Sequence, residues 1–145
     1  MLQGSRREAR ERALELLYEA EAKGLQPTEV LLGLAITPDR FAVALVTGVG
    51  ERLAELDGHI ERLARDWTVE RMPWVDRSIL RLAAFELLAR PDVPTGVILS
   101  EAVELAKRFS TEEAGRFVNG LLSNLAGQVR AEAPPEQPDS GTVRL

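Results

Sequence analysis

Between Trp74 and Leu125 three apolar-periodic segments follow one another with only two short, punctuated turns between them. That leaves consecutive helices little option but to fold back on one another. The first segment places Val75, Ile79, Leu82, Ala83 and Leu87 on one stripe. The second places Ile98, Ala102, Leu105 and Ala106 together, and the third Val118, Leu121, Leu122 and Leu125, continuing to Val129. Spacings of three and four are those of a helix with one buried face. Pro91-Asp92-Val93-Pro94 ends the first helix, because proline removes an amide donor and pushes its predecessor out of the helical region. Ser110-Thr111-Glu112-Glu113 ends the second and opens the third, with a hydroxyl cap and two carboxylates at the positive end of the new helix. Asp76 suits the N-terminal end of its own helix, and Asp92 can fix the turn before Pro94.

Upstream, Ser5 to about Lys23 reads as a first helix. Ser5-Arg6-Arg7-Glu8 has the pattern of a capping box, and Ala9, Ala13, Leu16, Leu17 and Ala20 form the buried stripe. Glu8, Glu11, Glu15 and Glu19 gather on the opposite side. Arg6, Arg7 and Arg10 occupy a third arc, shared with Leu14 and overlapping the edge of the buried stripe. Gly24-Leu25-Gln26-Pro27 breaks the helix, Thr28 can cap a short second one through Leu34, and Thr37-Pro38-Asp39 starts a third with proline at its first position. From Phe41 a long stripe of Leu45, Val49, Leu53, Leu56, Ile60 and Leu63 runs to about Arg65. Gly48, Gly50 and Gly58 lie inside it, where each costs about 1 kcal/mol against alanine; close helix packing is the expected compensation.

Composition excludes several classes. With 145 residues, 45% hydrophobic and 28% charged, the chain suits one globular domain with a real core. No apolar run approaches the ~18 residues of a membrane span, and the basic start has no apolar signal region, so the cytoplasm is the expected location. There is no cysteine, hence no disulfide and no thiolate metal site. His59 is the single histidine and lacks the companions that zinc or a catalytic triad requires. Gly48-Val49-Gly50 follows no strand and lacks the spacing of a phosphate loop. Asp76, Glu86, Glu101 and Glu104 could serve two-carboxylate chemistry only if two of them faced each other across a cleft. The expectation is therefore no enzyme, no cofactor and no metal.

The net charge of −5 speaks against a general nucleic-acid binder, but distribution matters more than the sum. Cations in a first helical turn oppose the macrodipole by about 0.3 to 1 kcal/mol each, so Arg6, Arg7 and Arg10 are poorly explained by helix stability. Two readings stand. The arginines are solvated and pair within the helix, Arg7 with Glu11 and Arg12 with Glu15 or Glu8, or they hold phosphates. A second basic stretch, Lys107-Arg108-Phe109 to Arg116-Phe117, interleaves cations with aromatics suited to base stacking. Phe117 is also spaced with Ala114 and Leu121 along a core edge. Trp67 and Trp74 flank the junction Thr68 to Pro73, with core anchoring the simpler role for both.

VDRSILRLAAFEL, DVP, SEAVELAKRF and FVNGLL, in this order and spacing, resemble the NusB family of transcription antitermination factors. SRREARERALELLY and FAVALVTGVGERLAELD extend the likeness over roughly Ser5 to Ala126. The resemblance implies an all-α bundle of about seven helices, with an N-terminal three-helix part (residues 5–66) packed on a C-terminal helical part (67–130); residues 131–145 are expected to be a flexible acidic, proline-rich tail. The tail expectation comes from composition, AEAPPEQPDSGTVRL having proline, glycine and acids without apolar periodicity. The resemblance further implies an adaptor that binds boxA RNA of nascent rRNA together with the ribosomal protein NusE, promoting read-through as part of the RNA polymerase antitermination complex. The alternative is a protein-interaction bundle without direct RNA contact. By position against the family pattern, Arg6, Arg7, Arg10, Lys107, Phe109, Glu113 and Phe117 are the expected RNA-binding residues, the end of the second helix pair lying beside the arginine start. Tyr18 and Asp76 are the expected protein-docking residues. Glu8 stands where relatives often carry another basic residue, and Ser100 where they usually have Asn. Some members dimerise, so a homodimer is a further expectation.

Overall fold

The computed structural model describes residues 5–65 and 67–130. These form seven α-helices and one 3-10 turn: α1 Arg6–Lys23, α2 Pro27–Leu32, α3 Arg40–Glu51, α4 Leu53–Ala64, the 3-10 turn Val69–Arg71, α5 Trp74–Ala89, α6 Thr95–Phe109 and α7 Glu112–Val129. The expected tail lies outside the described residues. No described helix is long and apolar enough to cross a membrane.

α5 is the axis of the bundle. It packs on α1, α3, α4, α6 and α7, and none of its residues is exposed. Its sequence reads as one apolar stripe, yet Leu80, Ala84 and Phe85 on the other faces are buried as well, because helices surround it. The stripes of α6 and α7 are buried as their spacing predicts, except for half-buried Val129 at the end of α7.

Local chemistry sets the element ends. At α1 the Ser5 hydroxyl accepts from the Glu8 amide at 3.1 Å while the Glu8 carboxylate accepts from the Ser5 amide at 3.0 Å, the capping box the sequence predicts. At α7 the Thr111 hydroxyl accepts from the Ala114 amide. Two starts differ from expectation. α2 begins at Pro27 with Gln26 as its cap, whose backbone N–H donates to the Glu29 carboxylate, so Thr28 is already helical. At α3 the Asp39 carboxylate accepts from the Phe41 amide at 2.7 Å, a stronger cap than a preceding proline provides, and Pro38 stays outside.

The N-terminal part also holds four helices, not three. The long stripe from Phe41 breaks at Arg52, whose backbone (φ −119°, ψ 25°) leaves the helical region. The break lets α3 lie on α1 and α5 while α4 turns onto α5 and α7. Gly48 makes the first of these contacts possible: a Cβ there would stand 2.2 Å from the Phe85 ring. Gly58 and Gly120 have open space around them, so close packing does not account for either; Gly120 and its neighbour Asn119 are exposed. The corresponding close approach on α7 is Gly115, over which the Lys107 stem passes.

The last described residue closes the bundle. Arg130 donates to the carbonyls of Glu86, Leu87, Arg90 and Val93 and to the Thr95 hydroxyl, at 2.8 to 3.0 Å. The last carbonyls of a helix run out of intrahelical donors; here the Glu86 and Arg90 carbonyls each accept one backbone amide, and a single guanidinium fork supplies the further donors, including that to Leu87.

Candidate functional site

α1 and α6 both pack on α5, and long side chains bridge the gap between them. Arg7 donates Nε and Nη2 to Glu101 at 3.1 and 2.8 Å. One turn further, Arg108 donates to Glu11. The partner of Arg7 is thus Glu101 and not Glu11, whereas Arg12 does pair with Glu15. The hydrogen bond from Arg7 is the main reason the Glu101 carboxyl titrates below its usual range, and the same bond raises the Arg7 guanidinium.

The three expected arginines do not share one surface. Arg6 and Arg7 are more than half exposed. Arg10 turns inward, where Nε and Nη2 each meet a Glu86 oxygen at 2.8 Å, and the two side chains are 5% and 2% exposed. Its guanidinium is therefore withdrawn from any phosphate at the surface, which corrects the three-arginine patch to two. The reason is geometric. Arg10 and Leu14 sit at the margin of the apolar stripe, and Leu14 is buried as well. The signal that could have revealed this is Glu86, a lone carboxylate inside LRLAAFELLA, where only a paired cation makes burial tolerable.

The aromatic residues separate too. Phe109 is 49% exposed and borders an apolar cleft of about 190 Å³ with Leu14, Tyr18, Trp74 and Val75. In it Tyr18 packs against Trp74 with ring centroids 4.4 Å apart. Phe117 lies in a second, larger cleft of about 610 Å³ with Arg65, Trp67, Asp76, Thr111 and Glu113. There it meets Trp67 edge to face at 5.5 Å. The start of α5 divides the two, sending Trp74 and Val75 to one side and Pro73 and Asp76 to the other. Core anchoring therefore describes Trp74, which is half-buried, but not Trp67, which is exposed.

Neither aromatic stands beside the arginine start. Arg6 pairs with Asp92 in the turn before α6, and Phe109 ends α6, about 20 Å further along at 1.5 Å per residue. The expected compact tip is thus an extended strip of Arg6, Arg7 and, past the Glu101 bridge, Arg108, while exposed Lys107 lies beside it with its stem over Gly115 of α7. What the fold does bring together is Tyr18 with Phe109, and Asp76 with Glu113 and Phe117. Asp76 is 5% exposed, and its Oδ1 has no protein hydrogen-bond partner among the described residues. An unpaired buried carboxylate oxygen is costly unless another molecule supplies a donor.

Residues 7–127 match the NusB family. The chain belongs to the NusB family. It is 45% identical over 141 residues to the transcription antitermination protein NusB of Acidothermus cellulolyticus, covering 92% of this chain and 97% of that one. The NusB of Thermobifida fusca is 47% identical over 126 residues, covering 84% and 89%. Among solved structures, T. maritima NusB superposes with a TM-score of 0.79 at 34% identity, over 88% of this chain and 94% of that one. A complex of antitermination factors NusB and NusE with dsRNA contains a chain that matches with a TM-score of 0.72 at 30% identity, over 85% and 96%. The NusB fold of these relatives is the all-α fold of this chain.

Proposed function

We propose that the chain is a transcription antitermination factor that holds boxA RNA of nascent rRNA together with ribosomal protein NusE and presents both to the RNA polymerase antitermination complex, promoting read-through. The observation that carries this reading is the match, over nearly its whole length, to a NusB solved with NusE and RNA. The geometry supplies the means. Arg6 and Arg7 present exposed guanidinium groups to phosphates, Arg7 through the edge that its bond to Glu101 leaves open, and exposed Lys107 adds a third cation on the α7 side of α6. Phe109 and Phe117 offer ring faces or edges to bases, with Glu113 at the rim of the second cleft. Tyr18 and the unpaired Asp76 carboxylate offer protein-docking points. The role is that of an adaptor in the cytoplasm, with no bond made or broken and no cofactor required.

The test is titration of a boxA oligonucleotide against the protein, with and without NusE, at two salt concentrations. Replacing Arg6 and Arg7 by alanine should weaken binding and flatten the log-log salt dependence by roughly 1.4, at ~0.7 per phosphate of a single strand. Absence of boxA binding in both arms would refute the RNA reading and leave a protein-interaction bundle.

A further inference from the structure

At the turn between α5 and α6, one carboxylate lies between two guanidinium groups. Arg90 donates Nε and Nη2 to the two Asp92 oxygens at 3.1 Å each, and Arg6 Nη1 stands 3.6 Å from Asp92 Oδ2. Both guanidiniums lie over the Phe41 ring, 4.2 and 5.0 Å from its centroid. That ring is buried and so gives the two flat cations a fixed apolar plate. Arg10 is also near the ring, at 5.2 Å, but its charge is met by Glu86. The Arg6 and Asp92 side chains are 52% and 51% exposed, that of Arg90 25%. Two cations against one carboxylate leave a net positive charge facing solvent.

We propose that Arg6 and Arg90 form a seat for one phosphate diester of the bound RNA, and that Asp92 occupies this seat in the free chain as an internal competitor the RNA must displace. The proposal rests on the reading of the chain as an RNA binder. A carboxylate and a phosphate present the same paired oxygens to a guanidinium fork, so one anion can replace the other without rebuilding the site. Protonation does not empty the seat near neutrality. The hydrogen bonds from Arg90 are the first cause holding the Asp92 carboxyl at about 2, so only another anion or salt releases the cations. Arg90 has no place in the sequence-based RNA-binding set, because only the fold carries it to Arg6.

The experiment compares wild type, Asp92→Asn, Arg90→Ala and the double variant by fluorescence anisotropy with a boxA oligonucleotide, in the presence of NusE, across a salt series. Asp92→Asn should bind roughly three- to tenfold tighter, with a salt slope steeper by up to ~0.7. Arg90→Ala should bind more weakly, and the double variant should lose the gain. Unchanged or weaker binding by Asp92→Asn overturns the competitor role while wild-type binding leaves the RNA reading intact. Should wild type bind no RNA, that reading fails, and inorganic phosphate decides the seat separately. Movement of the Arg6 and Arg90 Nε–H resonances on adding phosphate to Asp92→Asn, larger than in wild type, upholds the seat; no movement overturns it.

Discussion

Arg10 of α1 and Glu86 of α5 face each other through two 2.8 Å hydrogen bonds and are both withdrawn from solvent. Removing one partner leaves the other charge buried and unpaired, which costs about 3 to 5 kcal/mol. Arg10→Ala should therefore lower the unfolding free energy by that order in urea titrations. The double change Arg10→Met with Glu86→Leu should recover much of it, since a packed apolar pair avoids the desolvation of both ions.

Two glycines in neighbouring helices should respond in opposite senses. Gly48→Ala drives a methyl group to 2.2 Å from the Phe85 ring and should cost about 1 to 3 kcal/mol through overpacking. Gly58→Ala meets nothing within 4 Å and should stabilise by about 0.5 to 1 kcal/mol, because alanine loses less backbone entropy in a helix. Thermal melts of both variants check the pair.

Arg130→Ala removes the shared donor of four carbonyls, two at the end of α5 and two in the turn after it. A loss of about 2 to 4 kcal/mol is expected, more than one hydrogen bond to a charged group contributes. Arg130→Lys should recover little, since a point charge on a flexible stem cannot span the fork's acceptors. Hydrogen exchange at the turn Arg90 to Thr95 should speed up in both variants.

Asp76→Ala separates docking from folding. The isolated chain should change stability by less than about 1 kcal/mol, the worth of a carboxylate in a first helical turn, because no donor to Oδ1 among the described residues is lost. Affinity for NusE should fall roughly tenfold or more if the partner places a cation or donor against that oxygen. Calorimetric titration reads the second quantity and a urea melt the first.

Acid should erase the link between Arg7 and Glu101. The Arg7 hydrogen bond lowers the folded-state pKa of Glu101, so its stabilisation is present above the unfolded glutamate value near ~4.3 and is lost as pH falls through the lower folded value. Glu101→Gln should accordingly melt below wild type at pH 7, with the difference closing as pH drops under about 4. Melts at pH 7, 5 and 3 test the sign.

Much of the fold was legible because its determinants are local. The buried stripes of α1, α5, α6 and α7, the capping box at Ser5 and the cap at Thr111 all depend on residues within four positions of one another. The break at Arg52 was not legible, since the apolar spacing continues across it and only the packing of α3 and α4 on different neighbours requires it. The placement of the candidate site residues was half legible. Arg6, Arg7, Lys107 and Phe109 reach the surface, whereas Arg10 does not, and Phe109 and Phe117 enter different clefts on either side of α5. Helical phase gives the angle of a side chain, not what stands opposite.

The amino-acid sequence by itself determined the helical class, most element ends and the stripes that bury the core, together with the likeness to the NusB family. The tertiary structure alone decided which guanidinium groups stay in solvent and which carboxylate meets each of them. The reason is separation along the chain: the partners of Arg7, Arg10 and Arg108 lie 94, 76 and 97 residues away. They become neighbours only when α1, α5 and α6 are packed together.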